Sequence, residues 1–141
     1  MQMGLEYLIS QGILLVRIRG AVLGSEIFRS LRNRIEATPY SAGIPAILDI
    51  RHWTGTVTDE EWRGFREWLL RFAAHHDLRD PTPNLVFLGR KGENLDAIAM
   101  RAQAIRKTGG VARAISVDGA WAHAAPATPI SREARSFLDA C

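Results

Sequence analysis

The chain carries a single cysteine, Cys141, at its last position. No disulfide can form within it, which excludes the small disulfide-stapled scaffolds. Long apolar runs are missing as well, and no segment approaches the roughly 20 apolar residues of a membrane helix. The first residues lack a charged start, and Glu6, Ser10, Gln11 and Gly12 interrupt their apolar character. That pattern is not a secretory signal. These absences predict a soluble, cytoplasmic protein. An excess of one charge is lacking too: 18 basic residues face 15 acidic ones, a net +3. Arg29, Arg32 and Arg34 lie near Glu26 and Glu36, and Arg63, Arg66 and Arg71 near Glu60, Glu61 and Glu67. Nucleic-acid binders gather their cations into a stripe with exposed aromatics, so these read as solvated helix faces and no nucleic-acid partner is expected.

The motifs of common chemistries are also absent. There is no Gly-x-Ser-x-Gly elbow, no P-loop and no dinucleotide Gly-x-Gly-x-x-Gly. His75 and His76 are neighbours on a helix and diverge by about a hundred degrees, while His52 and His123 are distant in sequence, so no metal site is expected. Asp59, Glu60 and Glu61 fall in a helix's first turn, where acids offset the macrodipole and need no catalytic explanation. No cofactor is implied. The chain is not expected to be an enzyme.

What is present is a sequence of 141 residues, enough for one domain over residues 1–141. Two apolar runs, Tyr7 to Ile9 and Ile13 to Ile18, flank Ser10-Gln11-Gly12 and predict a hairpin. The second alternates Leu14, Val16 and Ile18 with Leu15, Arg17 and Arg19, as an edge or near-edge strand with one wetter face would. Ser25 is positioned to cap a helix over Glu26 to Ala37, which Thr38-Pro39 ends. Ala46 to Ile50 reads as a central strand. Thr58-Asp59-Glu60-Glu61 fits a capping box, opening a helix to about His76 with Trp62, Phe65, Leu69, Phe72 and Ala73 on one face. Asn84 to Leu88 is a second central strand. A helix follows with Leu95, Ile98, Ala102 and Ile105 aligned and Gly109-Gly110 as its stop. Val111 to Val117 is the last strand, after which Asp118 can cap a short turn. Ala124 to Pro129 is a linker, and Ser131 opens a short amphipathic tail.

The order ββαβαβαβα describes an α/β mixed sheet of about five strands with an N-terminal hairpin and helices packed on it. Together with Thr38-Pro39-Tyr40 before the central strand, Leu48-Asp49-Ile50-Arg51 closing it, the helix from Trp62 and the Trp121 region, this order resembles the STAS domain. More narrowly it resembles the SpoIIAA-like family, related in fold to anti-sigma-factor antagonists and to the CRAL-TRIO group. The resemblance spans residues 5–123 and leaves 124–141 as linker and helical tail. It implies a regulatory domain that binds a protein partner; the CRAL-TRIO likeness implies instead a small apolar or anionic ligand. In the antagonists an Asp-Ser-Ser-Gly-type loop carries the phosphorylated serine. Here that stretch reads Arg51-His52-Trp53-Thr54-Gly55-Thr56-Val57-Thr58, without serine, so no such switch is expected.

The same stretch is the main candidate site. It follows a central strand's carboxyl end, where open α/β sheets place ligands. Asp49, Arg51, His52, Trp53, Thr54 and Thr56 supply charge, imidazole, indole and hydroxyls there, and Lys91 in Gly89-Arg90-Lys91-Gly92 supplies a second basic turn. A plainer account gives Thr58 a capping role, Trp53 a packing role over the sheet edge, Asp49 a local ion pair, and the glycine-bounded turn a connecting role. The tail carries the last expectation. Trp68 and Leu70 flank the stripe of the Trp62 helix, and Pro126 and Pro129 stiffen an outward path for Phe137 and Leu138. Such surfaces would meet in a homodimer.

Overall fold

Alternating apolar runs joined by short polar turns fold into one sheet whose strands lie side by side in chain order. A computed structural model describes residues 4–106 and 109–140. Its strands are β1 (Gly4–Ser10), β2 (Ile13–Gly20), β3 (Ala46–Trp53), β4 (Asn84–Leu88) and β5 (Gly110–Ala114), in the order β1-β2-β3-β4-β5. β1 runs antiparallel to β2 and every other pair is parallel. Gln11 and Gly12 turn the hairpin with φ of 55° and 74°. Two consecutive left-handed residues form the turn whose twist matches that of the strands. Cys141 lies outside the described residues.

Parallel strands in sequential order, joined by right-handed crossovers, put every crossover helix on one face. That face carries α1 (Gly24–Ala37), α2 (Asp59–His75) and α3 (Glu93–Arg106). Leu14, Val16, Leu48 and Phe87 point into it and meet Ile27, Phe28, Leu95 and Ala102. The opposite face, with Leu15, Ile47, Val86 and Leu88, is covered by α4 (Val117–Ala124) and α5 (Arg132–Asp139). The α/β architecture and hairpin read from the sequence are present. Among the described residues no helix is long and apolar enough to cross a membrane.

Several boundaries move, each for a local reason. α1 begins at Gly24, and Ser25 does not cap it; Leu23 holds the cap position with no side-chain bond. A Cβ at Gly24 would stand 2.7 Å from Glu61 Oε1, so the start of α1 faces a carboxylate borrowed from α2. β3 continues past Ile50 because β2 extends alongside it, pairing Arg19 with His52 and Gly20 with Trp53 after a register shift. β5 stops at Ala114, since the Ser116 hydroxyl accepts from the Gly119 amide and opens α4 at Val117. Asp118 is therefore no cap. It sits in the first turn of α4 and pairs with Arg135 of α5.

The largest departure concerns the tail. Ser131 caps α5 as its sequence suggests, its hydroxyl accepting from the Ala134 amide. The helix then folds back over its own sheet rather than outward, and Ala134 and Leu138 are fully buried. Gln11 ties the hairpin turn to the linker by donating to the Pro129 carbonyl at 2.9 Å and accepting from the Ser131 amide at 2.8 Å. Arg17 is only 4% exposed, so the expected wet face of β2 is a covered one. Its guanidinium donates to the carbonyls of Phe137 and Ala140, pairs with Glu6 at 2.9 Å and lies over the Phe137 ring. Arg19 donates to the Ala140 carbonyl at 3.1 Å, and Arg51 to that of Leu138. Of the other proposed contacts, Trp68 is half-buried and stacked between Phe65 and Phe72 with Arg32 over it, whereas Leu70 is exposed. The tail surface that pointed to a two-fold contact is thus covered within the subunit.

Arg17→Ala is expected to destabilise the protein by about 2–4 kcal/mol in urea denaturation, through carbonyls left without donors in a covered interface. Acid should loosen the same region. The hydrogen bond from Arg17 holds the Glu6 carboxyl below its ordinary 4.5. A depressed carboxyl contributes stability above its unfolded value and loses it as pH falls through the folded one. Stability should therefore decline on acidification below 4.5, and Glu6→Gln should flatten that part of the pH profile.

Candidate functional site

The β3–α2 and β4–α3 connections leave the same end of the sheet and diverge, and a cleft of about 700 Å³ opens between them. One wall runs from Trp53 to Val57, the other from Gly89 to Leu95, and α3 contributes Ile98 and Arg101. The strands follow one another without a reversal of order, so no switch-point crevice exists in this sheet. The cleft is instead shaped by the α2 N-terminus, set by the Thr58–Glu61 capping box, and by the turn into α3. Thr58 Oγ1 accepts from the Glu61 amide at 3.1 Å, and Glu61 Oε1 accepts from the Thr58 amide at 2.9 Å. Thr58 serves the helix, not the cleft.

The residues singled out from the sequence divide three ways. Asp49 and Arg51 belong to the opposite face. Asp49 is 1% exposed and accepts from Arg51 Nε at 2.9 Å and Nη2 at 2.8 Å. Alternation along β3 sends both side chains toward α5, whose Leu138 carbonyl Arg51 also holds. Arg51 borders the cleft, but its guanidinium is committed to this anchorage. His52 and Trp53 are strand residues. His52 Nδ1 stands 3.5 Å from Arg90 Nη2, and Trp53 Nε1 donates to the Val22 carbonyl at 2.9 Å, packing toward α1. Thr54, Thr56 and Lys91 do come together, exposed around the cleft.

The sequence reading passed over Arg101, Asn94, Trp62 and Ile98 as site residues, although all line the cleft. Asn94, Ile98 and Arg101 are spaced by four and three, one stripe of α3, so helical periodicity could have found them. Arg90, Lys91 and Arg101 are the exposed cations of the rim, with Glu93 as the opposing charge. Arg101 reaches Asp59 only at 3.9 Å, both more than half exposed, a weak pairing. Trp62, Leu95, Ile98 and Ile50 supply apolar wall. Among the described residues no group of three or more His, Cys, Asp or Glu is placed to hold a metal ion. The arrangement suits holding an anion beside an apolar surface.

No protein-family model and no curated protein matches the chain. Among solved structures it is similar to an uncharacterized protein of the DUF3478 family with a SpoIIAA-like fold, from Shewanella loihica PV-4. The two share 15% identity at a TM-score of 0.52, over 83% of this chain and 89% of that one. The chain has a SpoIIAA-like fold. At that identity the likeness speaks for architecture alone.

Within this SpoIIAA-like fold, Gly55 fixes the near wall of the cleft. A Cβ there would stand 2.4 Å from the Val22 carbonyl oxygen and 2.7 Å from Trp53 Nε1. The backbone oxygen cannot retreat cheaply. Gly55→Ala is expected to cost about 1–3 kcal/mol in thermal or urea unfolding and to alter Trp53 emission as the indole loses its bond to Val22.

Proposed function

We propose that the protein is a non-catalytic binding domain whose cleft takes a small anionic molecule with an apolar portion. The observation that carries this reading is the meeting of two separate connections, Thr54–Thr56 and Arg90–Lys91, with Arg101 over a floor of Trp62, Leu95 and Ile98. Cations around a partly apolar concavity of this size suit a small ligand. Threonine hydroxyls and the Asn94 amide supply the polar groups that orient it. A protein partner, the regulatory role implied by the STAS likeness, rests on fold analogy, and the serine that would switch such a partner is absent from the matching stretch.

Native mass spectrometry of the purified protein, followed by thermal shifts with nucleotides, phosphoinositide headgroups and fatty acids, tests the proposal. At least one anion is expected to raise the melting temperature, and to go on raising it with the logarithm of its concentration above the dissociation constant. Added salt should weaken the effect, and a Lys91→Ala, Arg101→Ala double variant should abolish it. No retained ligand and no shift across the panel would refute the small-ligand reading.

A further inference from the structure

β1 is an edge strand of seven residues, and among the described residues no strand pairs with its outer side. Natural proteins blunt such edges with lysine, proline or a bulge. β1 has none of these: it reads GLEYLIS, and its register with β2 runs unbroken from Gly4 to Ser10. Its one charge, Glu6, is paired with Arg17 of its own sheet. The opposite edge, β5, is shorter at five residues, opens on a glycine and carries Arg113.

The hairpin turn settles which backbone groups of β1 face outward. Gln11 and Gly12, both left-handed, make a turn that Ser10 and Ile13 close by bonding to each other. Bonded and non-bonded pairs then alternate along an antiparallel ladder. The amides and carbonyls of Glu6 and Leu8 therefore point to β2, and those of Leu5, Tyr7 and Ile9 point away from the sheet. Three donors and three acceptors stand in a row on the free edge.

The edge is symmetric about Tyr7. Leu5 and Ile9, two positions to either side, are apolar and pack with it on the α1 face. α1 repeats the symmetry above the strand. The Tyr7 hydroxyl meets that of Ser30 at 2.5 Å, so Ser30 marks the level of Tyr7. Glu26, four residues earlier, stands with Gly4 and Leu5 around a crevice at one end of β1. Arg34, four residues later, lies over the Tyr7 ring at 5.6 Å. Residues four apart share one flank of a helix. The flank of α1 along the free edge thus carries an acid and a base, about one turn to either side of Ser30. Among the described residues neither forms an ion pair, and Arg34 Nε has no hydrogen-bond partner.

We propose that β1 pairs antiparallel with β1 of a second copy about a two-fold axis at Tyr7, joining the two sheets into one. Tyr7 then exchanges hydrogen bonds with the partner's Tyr7, and Leu5 with the partner's Ile9. The same axis sets Glu26 toward the partner's Arg34, and Arg34 toward the partner's Glu26. Both flanks of the contact are therefore self-complementary. A patch that meets itself closes as a dimer, whereas β1 against the partner's β5 would leave edges open and grow a fibre. This surface is distinct from the cleft and from Trp68 and the tail, and does not depend on the reading given for the cleft.

Sedimentation velocity from about 1 to 200 µM, with hydrogen exchange of single amides, tests the proposal. A monomer–dimer equilibrium is expected, with a dissociation constant on the order of 10 µM. In the dimer the amides of Leu5, Tyr7 and Ile9 should exchange at least about tenfold more slowly than in the dilute monomer. Those of Glu6 and Leu8, already bonded to β2, should change less. Ile9→Pro removes an outward-facing donor, which an edge strand tolerates, and should raise the dissociation constant at least about tenfold through two lost bonds. Glu26→Arg should raise it about fivefold or more. Adding Arg34→Glu should recover most of that loss, which a general weakening of α1 would not do. Melting curves establish that each variant folds; if Ile9→Pro does not, the charge variants at the surface of α1 decide. A monomer throughout the range, a dimer whose Leu5, Tyr7 and Ile9 amides exchange as in the monomer, or a double charge variant no tighter than Glu26→Arg would each overturn it.

Discussion

The structure depends on how the last turn of α5 is received by the sheet. A helix ends with carbonyls that have no partner within it, and an eight-residue helix such as α5 has little stability of its own. Here Arg17, Arg19 and Arg51, projecting from β2 and β3, donate to the carbonyls of Phe137, Leu138 and Ala140. Cations at a helix C-terminus also complement its dipole. The dependence is mutual. Arg17 can be buried in the face of β2 only because α5 supplies acceptors for it, and Leu138 can be buried only because those bonds hold the helix down. Without α5, part of the sheet face bearing Ile13, Leu15 and Ile47 would be open to water.

This anchorage reaches the cleft. Arg51 is held by Asp49 on its own strand and by the tail, so the end of β3 is fixed on one face by α5 while Trp53 fixes it on the other through Val22. The chain that follows, Thr54 to Val57, enters the cleft from a rigid strand end. Its position is tightened by Gly55, whose missing side chain lets the backbone approach Val22. Two residues read from the sequence as chemistry, the buried Asp49 and the half-buried Arg51, are thus the support on which the exposed threonines stand.

What could be read from the sequence follows from what its signals encode. The capping box at Thr58–Glu61, the bounds of β4 at Asn84–Leu88, the Ser131 cap and the Gln11-Gly12 turn all arise from local chemistry and stand in the structure. The burial of Arg17 was not legible. Alternation marks an arginine as the wet side of a strand, and its partners are backbone carbonyls about 120 positions away, which no residue type announces. The prolines of the linker stiffen it without giving its direction; that is decided by Gln11 and by the arginines of β2 and β3. The cleft was half legible: one connection was read as the main candidate and the other as a second basic turn, and only the sheet order shows that β3 and β4 are neighbours whose loops must meet. Trp68 lies at the margin of the apolar stripe, and its stacking on the stripe residues Phe65 and Phe72 is a rotamer choice that residue spacing does not give.

The central claim is that α5 is an integral layer of the fold and not an appended tail. Native-state amide hydrogen exchange measures this directly, since it reports the opening free energy of each segment. The amides in the last turn of α5 are expected to exchange with the same opening free energy as those of β2, both rising together with overall stability. Exchange of the α5 amides at nearly unprotected rates, with β2 still fully protected, would contradict it.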